Sequence, residues 1–197
     1  MTPRDTVPQN NPERPDQSAD VQANPIARLA RIIGQAARFN GDEHGLGSGE
    51  HAALARLDPD GDLRPHQVAA LTRALLYAGL EPDNWKPATW RCWALIAHGM
   101  ALAGHDGDHS LGQQLCTARV AESRVTKLLT ARGDAFRQLL PRLLRLLATN
   151  EVAPNWHQLG ALILHEGRDD QKAEAIRLAI AGRYFSARAR TTEQPSA

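Results

Sequence analysis

From residue 25 to about residue 190, large apolar side chains return every third or fourth position, and no stretch gathers β-branched residues or alternates as a strand does. That period confines the chain to helices, because only a helix brings positions three and four apart onto one side. The run is cut by Asp60-Gly61-Asp62, Leu80-Glu81-Pro82-Asp83 and Ala153-Pro154-Asn155, residue types that end one helix or cap the next. The spacing predicts helices over about 25–39, 49–57, 65–78, 87–103, 111–117, 122–132, 134–148, 155–165 and 169–187. About nine helices with short connections make an all-α bundle, and the lack of a fixed repeat excludes a solenoid.

Residues 1–24 carry Pro3, Pro8, Pro12 and Pro15, with Asp5, Glu13, Asp16 and Asp20 against Arg4 and Arg14. With little apolar mass beyond Val7 and Val21, such a segment cannot offset its ordering entropy and reads as a disordered tail. The expected organisation is this tail, an N-terminal helical lobe over 25–109, a C-terminal helical lobe over 110–190, and a short disordered tail over 191–197. Cys92 and Cys116 stand apart without a C-x-x-C pair or a disulfide framework, which suits a reducing compartment. No segment resembles a secretory leader or a membrane span, so a soluble, cytoplasmic protein is expected.

Charge is informative only once it is divided. The chain has 23 Lys+Arg against 22 Asp+Glu, a net charge of +1. Residues 25–110 hold 8 basic against 10 acidic groups and residues 150–197 hold 6 against 6, whereas residues 111–149 hold 7 against 2. At about 100° per residue, Arg137, Arg145 and Arg142 fall at about 0°, 80° and 140°, and Phe136, Leu139, Leu140, Leu143, Leu144, Leu146 and Leu147 take the opposite arc. The polar side thus reads as an arginine face with no acid on it, although Pro141 should kink this helix. In the helix before it Arg124 and Lys127 share a side, with Arg119 just upstream and Arg132 at its end. Most basic runs are solvated helix faces, but those ordinarily mix signs. Unmixed guanidinium groups suit phosphate, because each planar fork takes two oxygens and stays charged.

Nothing comparable points to catalysis or a cofactor. Gly104-His105-Asp106-Gly107-Asp108-His109 has the ligand types of a metal site but reads as an inter-helix loop, and His98 nearby does not complete it. Asp58-Pro59-Asp60-Gly61-Asp62 opens like a calcium loop, yet Leu63 and Ala69 stand where such a loop needs Gly and Glu. Phosphate-loop, dinucleotide-binding, nucleophile-elbow and zinc-protease motifs are missing. No enzyme, no metal and no cofactor is therefore expected. Trp85, Trp90, Trp93 and Trp156 sit among Ala, Leu and Ile and read as core residues in preference to base-stacking platforms.

A family resemblance runs through the second half of the chain. Ser110-Leu111-Gly112-Gln113-Gln114-Leu115, then Glu122-Ser123-Arg124, Leu128-Leu129 and Ala131-Arg132, then Leu139 to Leu147, then Asn155-Trp156 with Leu159 and Leu164-His165, resemble in their order the small subunit, CasB, of the type I-E CRISPR Cascade complex. Gly49-Glu50-His51-Ala52-Ala53-Leu54-Ala55-Arg56 resembles that family's early helix. The resemblance implies an all-helical, two-lobed, non-catalytic subunit, present in two copies beside other Cascade proteins. It also implies contacts to guide RNA, target strand and displaced non-target DNA strand that stabilise the R-loop. By matching positions it implies Arg56, Arg124, Lys127 and Arg132 as nucleic-acid contacts, and the charge face adds Arg119, Arg137, Arg142 and Arg145. Two other readings compete: a helical scaffold whose arginines meet acidic protein, and a helix-turn-helix regulator, for which residues 122–132 offer only Ser123 and Thr126 as further polar readers.

Overall fold

The computed structural model describes residues 24–38 and 45–193; residues 1–23, 39–44 and 194–197, and most of the two expected tails with them, lie outside the described residues. Among the described residues are nine helices and no strand: α1 (Pro25–Arg38), α2 (Ser48–Ala55), α3 (Pro65–Tyr77), α4 (Pro87–Ala103), α5 (Leu111–Thr117), α6 (Glu122–Thr130), α7 (Gly133–Thr149), α8 (Trp156–His165) and α9 (Asp170–Glu193).

Local chemistry sets the boundaries. Asn24 Oδ1 accepts from the Ile26 N–H at 2.9 Å, and Pro25 opens α1, where its missing N–H costs nothing. Ser110 and Gln113 form a reciprocal cap at the start of α5, with Ser110 N–H donating to Gln113 Oε1 at 3.1 Å. Asn155 caps α8 by accepting from the Gln158 N–H. Gly79 and Gly104, at φ 75° and 73°, close α3 and α4 in a backbone conformation that glycine adopts freely. Helix α7 runs on through Pro141, which leaves the Arg137 carbonyl without its usual helical donor. Helix α9 reaches Glu193, so residues 191–193, expected in a tail, are helical.

One buried core joins Ile26 at one end of the sequence to Tyr184 at the other. Its axis is α4, buried without a break from Trp93 to Met100, as a helix apolar on every side must be. Around it pack α1, α2, α7 and α8, and α9 lies along α5 and α8. The expected division near residue 110 falls in the α4–α5 loop, and both sides of it contribute to the same core. Close approach is bought with glycine: a Cβ on Gly99 would overlap the Trp156 ring and Leu144, and one on Gly112 would meet the backbone of α9. Trp93 and Trp156 are buried, while Trp85 packs partly buried against Trp90 and Trp93 with ring centroids 5.9 Å apart.

Candidate nucleic-acid interface

The cationic stretch builds a groove between α6 and α7. Arg124, Lys127 and Leu128 form one wall, Leu139, Arg142, Leu143 and Leu146 the other, with Val120 at the end, around a volume of about 330 Å³. The apolar arc of α7 is wider than the core needs: Phe136, Leu140, Leu144 and Leu147 are buried in it, whereas Leu139 and Leu146 are left to floor the groove. These leucines read as core in the sequence. Their position at the edge of the apolar arc was the one signal of another role.

The acids of this stretch are occupied. Glu122 Oε2 lies 3.7 Å from Arg188 Nε on α9, and Asp134 pairs with Arg137. The expectation of an α7 arginine face with no acid is thereby corrected: Asp134 stands three residues before Arg137 and shares its side. Arg124, Lys127 and Arg142 pair with no carboxylate among the described residues. Three exposed like charges thus line a partly apolar trough.

The other expected contacts are distributed differently. Arg132 donates to Glu174 at 2.7 Å and to the Leu129 carbonyl at 2.8 Å, although half its side chain stays exposed. Arg137 pairs with Asp134 and is not part of the groove lining, and the Cys92 thiol is pushed up by burial against the opposing charges of Arg168 and Arg137. Arg145 is exposed and is not part of the groove lining. The His98 imidazole donates from Nδ1 to the Leu54 carbonyl at 3.1 Å, and Arg56 is the exposed C-terminal cap of α2. Of the seven cations of the stretch, Arg124, Lys127 and Arg142 line the groove, and Arg119, Arg132, Arg137 and Arg145 do not.

Arg119 is exposed at φ 54°, where the chain leaves α5 through backbone bonds from Arg119 N–H to the Cys116 carbonyl and from Val120 N–H to the Leu115 carbonyl. Glycine is favoured at such a helix end, and a side chain costs about 1 kcal/mol there. Arg119→Gly is expected to raise stability by up to about 1 kcal/mol in urea denaturation, and to weaken oligonucleotide binding if the guanidinium contacts phosphate.

The histidine-rich loop is a structural seam. Asn155 Nδ2 donates to the His109 carbonyl at 2.8 Å, Gln114 Nε2 to the Asp106 carbonyl at 3.0 Å, and Trp156 Nε1 to the Gly104 carbonyl at 2.8 Å. His109 pairs with Asp106 at 2.8 Å, whereas His105 faces His157 at 5.0 Å between ring centroids. Among the described residues no group of three or more His, Cys, Asp or Glu side chains is placed to hold a metal ion.

His51, His98, His105 and His157 are all held below the ordinary imidazole pKa, in each case first by burial. These rings stay neutral in the fold while the unfolded chain still takes up protons near pH 6.5. Their contribution to stability is complete above about pH 6.5 and is lost as pH falls through the lower folded values. Urea midpoints measured between about pH 7.5 and pH 5.5 should fall with little change in slope. His98→Asn, whose Nδ2 keeps a donor at the Nδ1 position for Leu54, should reduce that fall.

The described residues thus define the class of all-helical bundles, with an exposed cationic groove between α6 and α7. Residues 50–185 match the family described as CRISPR-associated protein Cse2. The chain belongs to that family, the small subunit of the type I-E Cascade complex, and is a CRISPR Cascade subunit. No curated protein and no solved structure matches the chain. Among the described residues no helix is long and apolar enough to cross a membrane.

Proposed function

We propose that this Cascade subunit holds nucleic-acid backbone in the α6–α7 groove and so stabilises the R-loop without catalysing a reaction. The observation that carries this reading is the convergence of Arg124, Lys127 and Arg142 on one trough with no described carboxylate to neutralise them. Phosphates sit at the cationic rim, and sugar and base edges lie over Leu139, Leu143 and Leu146. The displaced non-target strand is the main ligand, with guide RNA and target strand reached by cations elsewhere. Exchanging a DNA duplex for an RNA–DNA duplex is nearly balanced in energy, so a few backbone contacts tip it and sequence is left to the guide.

Arg119 extends the rim, Arg56 and Arg145 offer a second point of contact, and Arg132 and Arg137 contribute through the exposed parts of their ion-paired heads. Arg124→Glu/Lys127→Glu/Arg142→Glu is expected to weaken single-stranded DNA binding roughly 100-fold at low salt, about 1 kcal/mol per exposed charge. It should also cut the slope of log affinity against log salt by about 2. In the assembled complex the displaced strand should become more accessible to a single-strand nuclease. Unchanged accessibility in a complex that still assembles would remove the reading.

A specific observation favours a second role as a scaffold. On α9, Leu178 is 65% exposed and Phe185 41%, one heptad apart on the side opposite the core. Apolar groups of that size suit another Cascade protein, and in a pure scaffold the groove variants would leave displaced-strand protection intact.

A further inference from the structure

A second basic trough runs along α1, a helix that lies before the residues matched to the Cse2 family. It encloses about 670 Å³ between α1 and a wall made by Gly104, His105, Ala153 and His157. Helix α1 contributes Arg28, Arg31 and Arg38 and contains no acid. Arg31 and Arg38 are exposed, seven residues apart on one side, and pair with no carboxylate among the described residues. Gly34 lies between them, and nothing stands within 4 Å of where its Cβ would be. The floor is thus open and lined by small residues.

Arg28 is different. Its guanidinium lies against Gly79 at the end of α3, and its Nε is buried without a partner. It lines the trough with its stem and places its charge at the negative end of the α3 dipole.

The opposite wall carries two imidazoles. The Trp156 N–H donates to His105 Nδ1 at 3.2 Å, and Asn24 Nδ2 lies 3.5 Å from His157 Nδ1. The Nε2 edges of both rings approach Gly107, where a Cβ would sit 3.3 Å from one and 3.5 Å from the other. Among the described residues, the acids that act on His105 are Asp106, which is held by His109, and Asp108. A trough with two exposed guanidinium groups on one side and two imidazoles on the other suits an anion. Along the helix axis Arg31 and Arg38 are about 10 Å apart, a separation wider than a single small ion and one that a strand backbone spans in roughly one to two nucleotides.

We propose that the α1 trough is a second phosphate track, which takes the backbone of a single-stranded nucleic acid on Arg31 and Arg38 against the His105–His157 wall. The proposal rests on the reading of this chain as a nucleic-acid-binding subunit but uses a surface separate from the α6–α7 groove, and its arginines lie before the residues matched to the family. It gives the chain two places to hold strands where charge counting along the sequence finds one.

The test compares Arg31→Glu/Arg38→Glu with Arg124→Glu/Lys127→Glu/Arg142→Glu in the full chain, by anisotropy of a labelled oligothymidylate over a salt series. Both charge-reversal sets change exposed side chains, so melting temperatures should stay close to the parent. The α1 pair is expected to weaken binding at least tenfold and to reduce the salt slope by about 1.4, near 0.7 per phosphate contact. Loss confined to the α6–α7 set overturns the α1 track and leaves the proposed function standing. Loss confined to the α1 pair supports the track and moves the binding role away from the α6–α7 groove. If neither set changes binding, both fail. A histidine NMR titration separates a strand from a small anion: the oligonucleotide should shift the His105 and His157 resonances, and tripolyphosphate at matched phosphate concentration should not. Equal shifts from both ligands would overturn the assignment to a strand.

Discussion

Glu166→Ala is expected to destabilise the protein by about 3–5 kcal/mol, because it strands a buried guanidinium. Glu166 and Arg177 form an ion pair with side chains only 9% and 4% exposed. Arg177 also lies over the Phe136 ring at 5.7 Å from its centroid, and within 3.9 Å of Glu174. Once Glu166 is gone, Glu174 is too exposed and too distant to replace it. The melting temperature should fall by roughly 10 °C, at about 2–4 °C per kcal/mol for a chain of this size. Glu166→Gln/Arg177→Met should recover most of the loss, since Gln keeps an acceptor and Met fills the space without a charge to desolvate. A double variant as damaged as Glu166→Ala would show that lost packing, not the stranded charge, sets the cost.

The same residue connects stability to the groove. Glu166 Oε1 accepts from the Gly133 N–H at 2.7 Å, at the first residue of α7, and Arg177 reaches the Ala131 carbonyl. Arg132 bonds to Glu174 from the same junction. Residues 131–133 join the two walls of the α6–α7 groove, so α8 and α9 pin the angle at which those walls meet. Charge counting says that removing an acid tightens binding to a polyanion. The geometry says the reverse, and under folded conditions Glu166→Ala should bind oligonucleotide more weakly than the parent.

Gly112→Ala is expected to cost about 3 kcal/mol, at the upper end for inserting one methyl group. The added carbon would meet the Ile180 carbonyl oxygen, the Tyr184 nitrogen and Arg183 Cβ. The first two are α9 backbone and cannot swing away as a side chain tip does. Relief therefore requires α9 to lift from α5, which withdraws the buried Tyr184 ring and breaks its hydroxyl bond to the Val120 carbonyl at 2.7 Å. Gly182→Ala, on α9, is the control. Nothing stands within 4 Å of its Cβ position and its φ is ordinary, so it should stabilise by about 0.5–1 kcal/mol. Thermal melts of the two variants should move in opposite directions; a fall of similar size in both would remove the close-approach explanation.

Helix number, helix type and most boundaries were legible because each is set within one turn of chain. Asn24-Pro25, Ser110 with Gln113, and Asn155 declare their helices through caps that involve neighbours three or fewer residues away. The concentration of cations over residues 111–149 was legible for the same reason. Even Asp134 as partner of Arg137 could have been read, since three residues along a helix share a side. The α1 trough was harder to see. Its arginines lie in a segment that is acidic on balance, and its other wall comes from residues 104, 105, 153 and 157.

The sequence by itself determined that this chain is a bundle of helices with one strongly cationic stretch, because periodicity and capping act over three or four residues. Only the tertiary structure decided which cations meet. It turned Arg124, Lys127 and Arg142 into one groove, sent Arg137 and Arg145 elsewhere, tied Arg132 to Glu174, and buried Arg177 against Glu166. The physical reason is that an arginine's partner is set by the helix packed beside it. Glu174 stands 42 residues from Arg132, a distance over which no local pattern of side chains carries information.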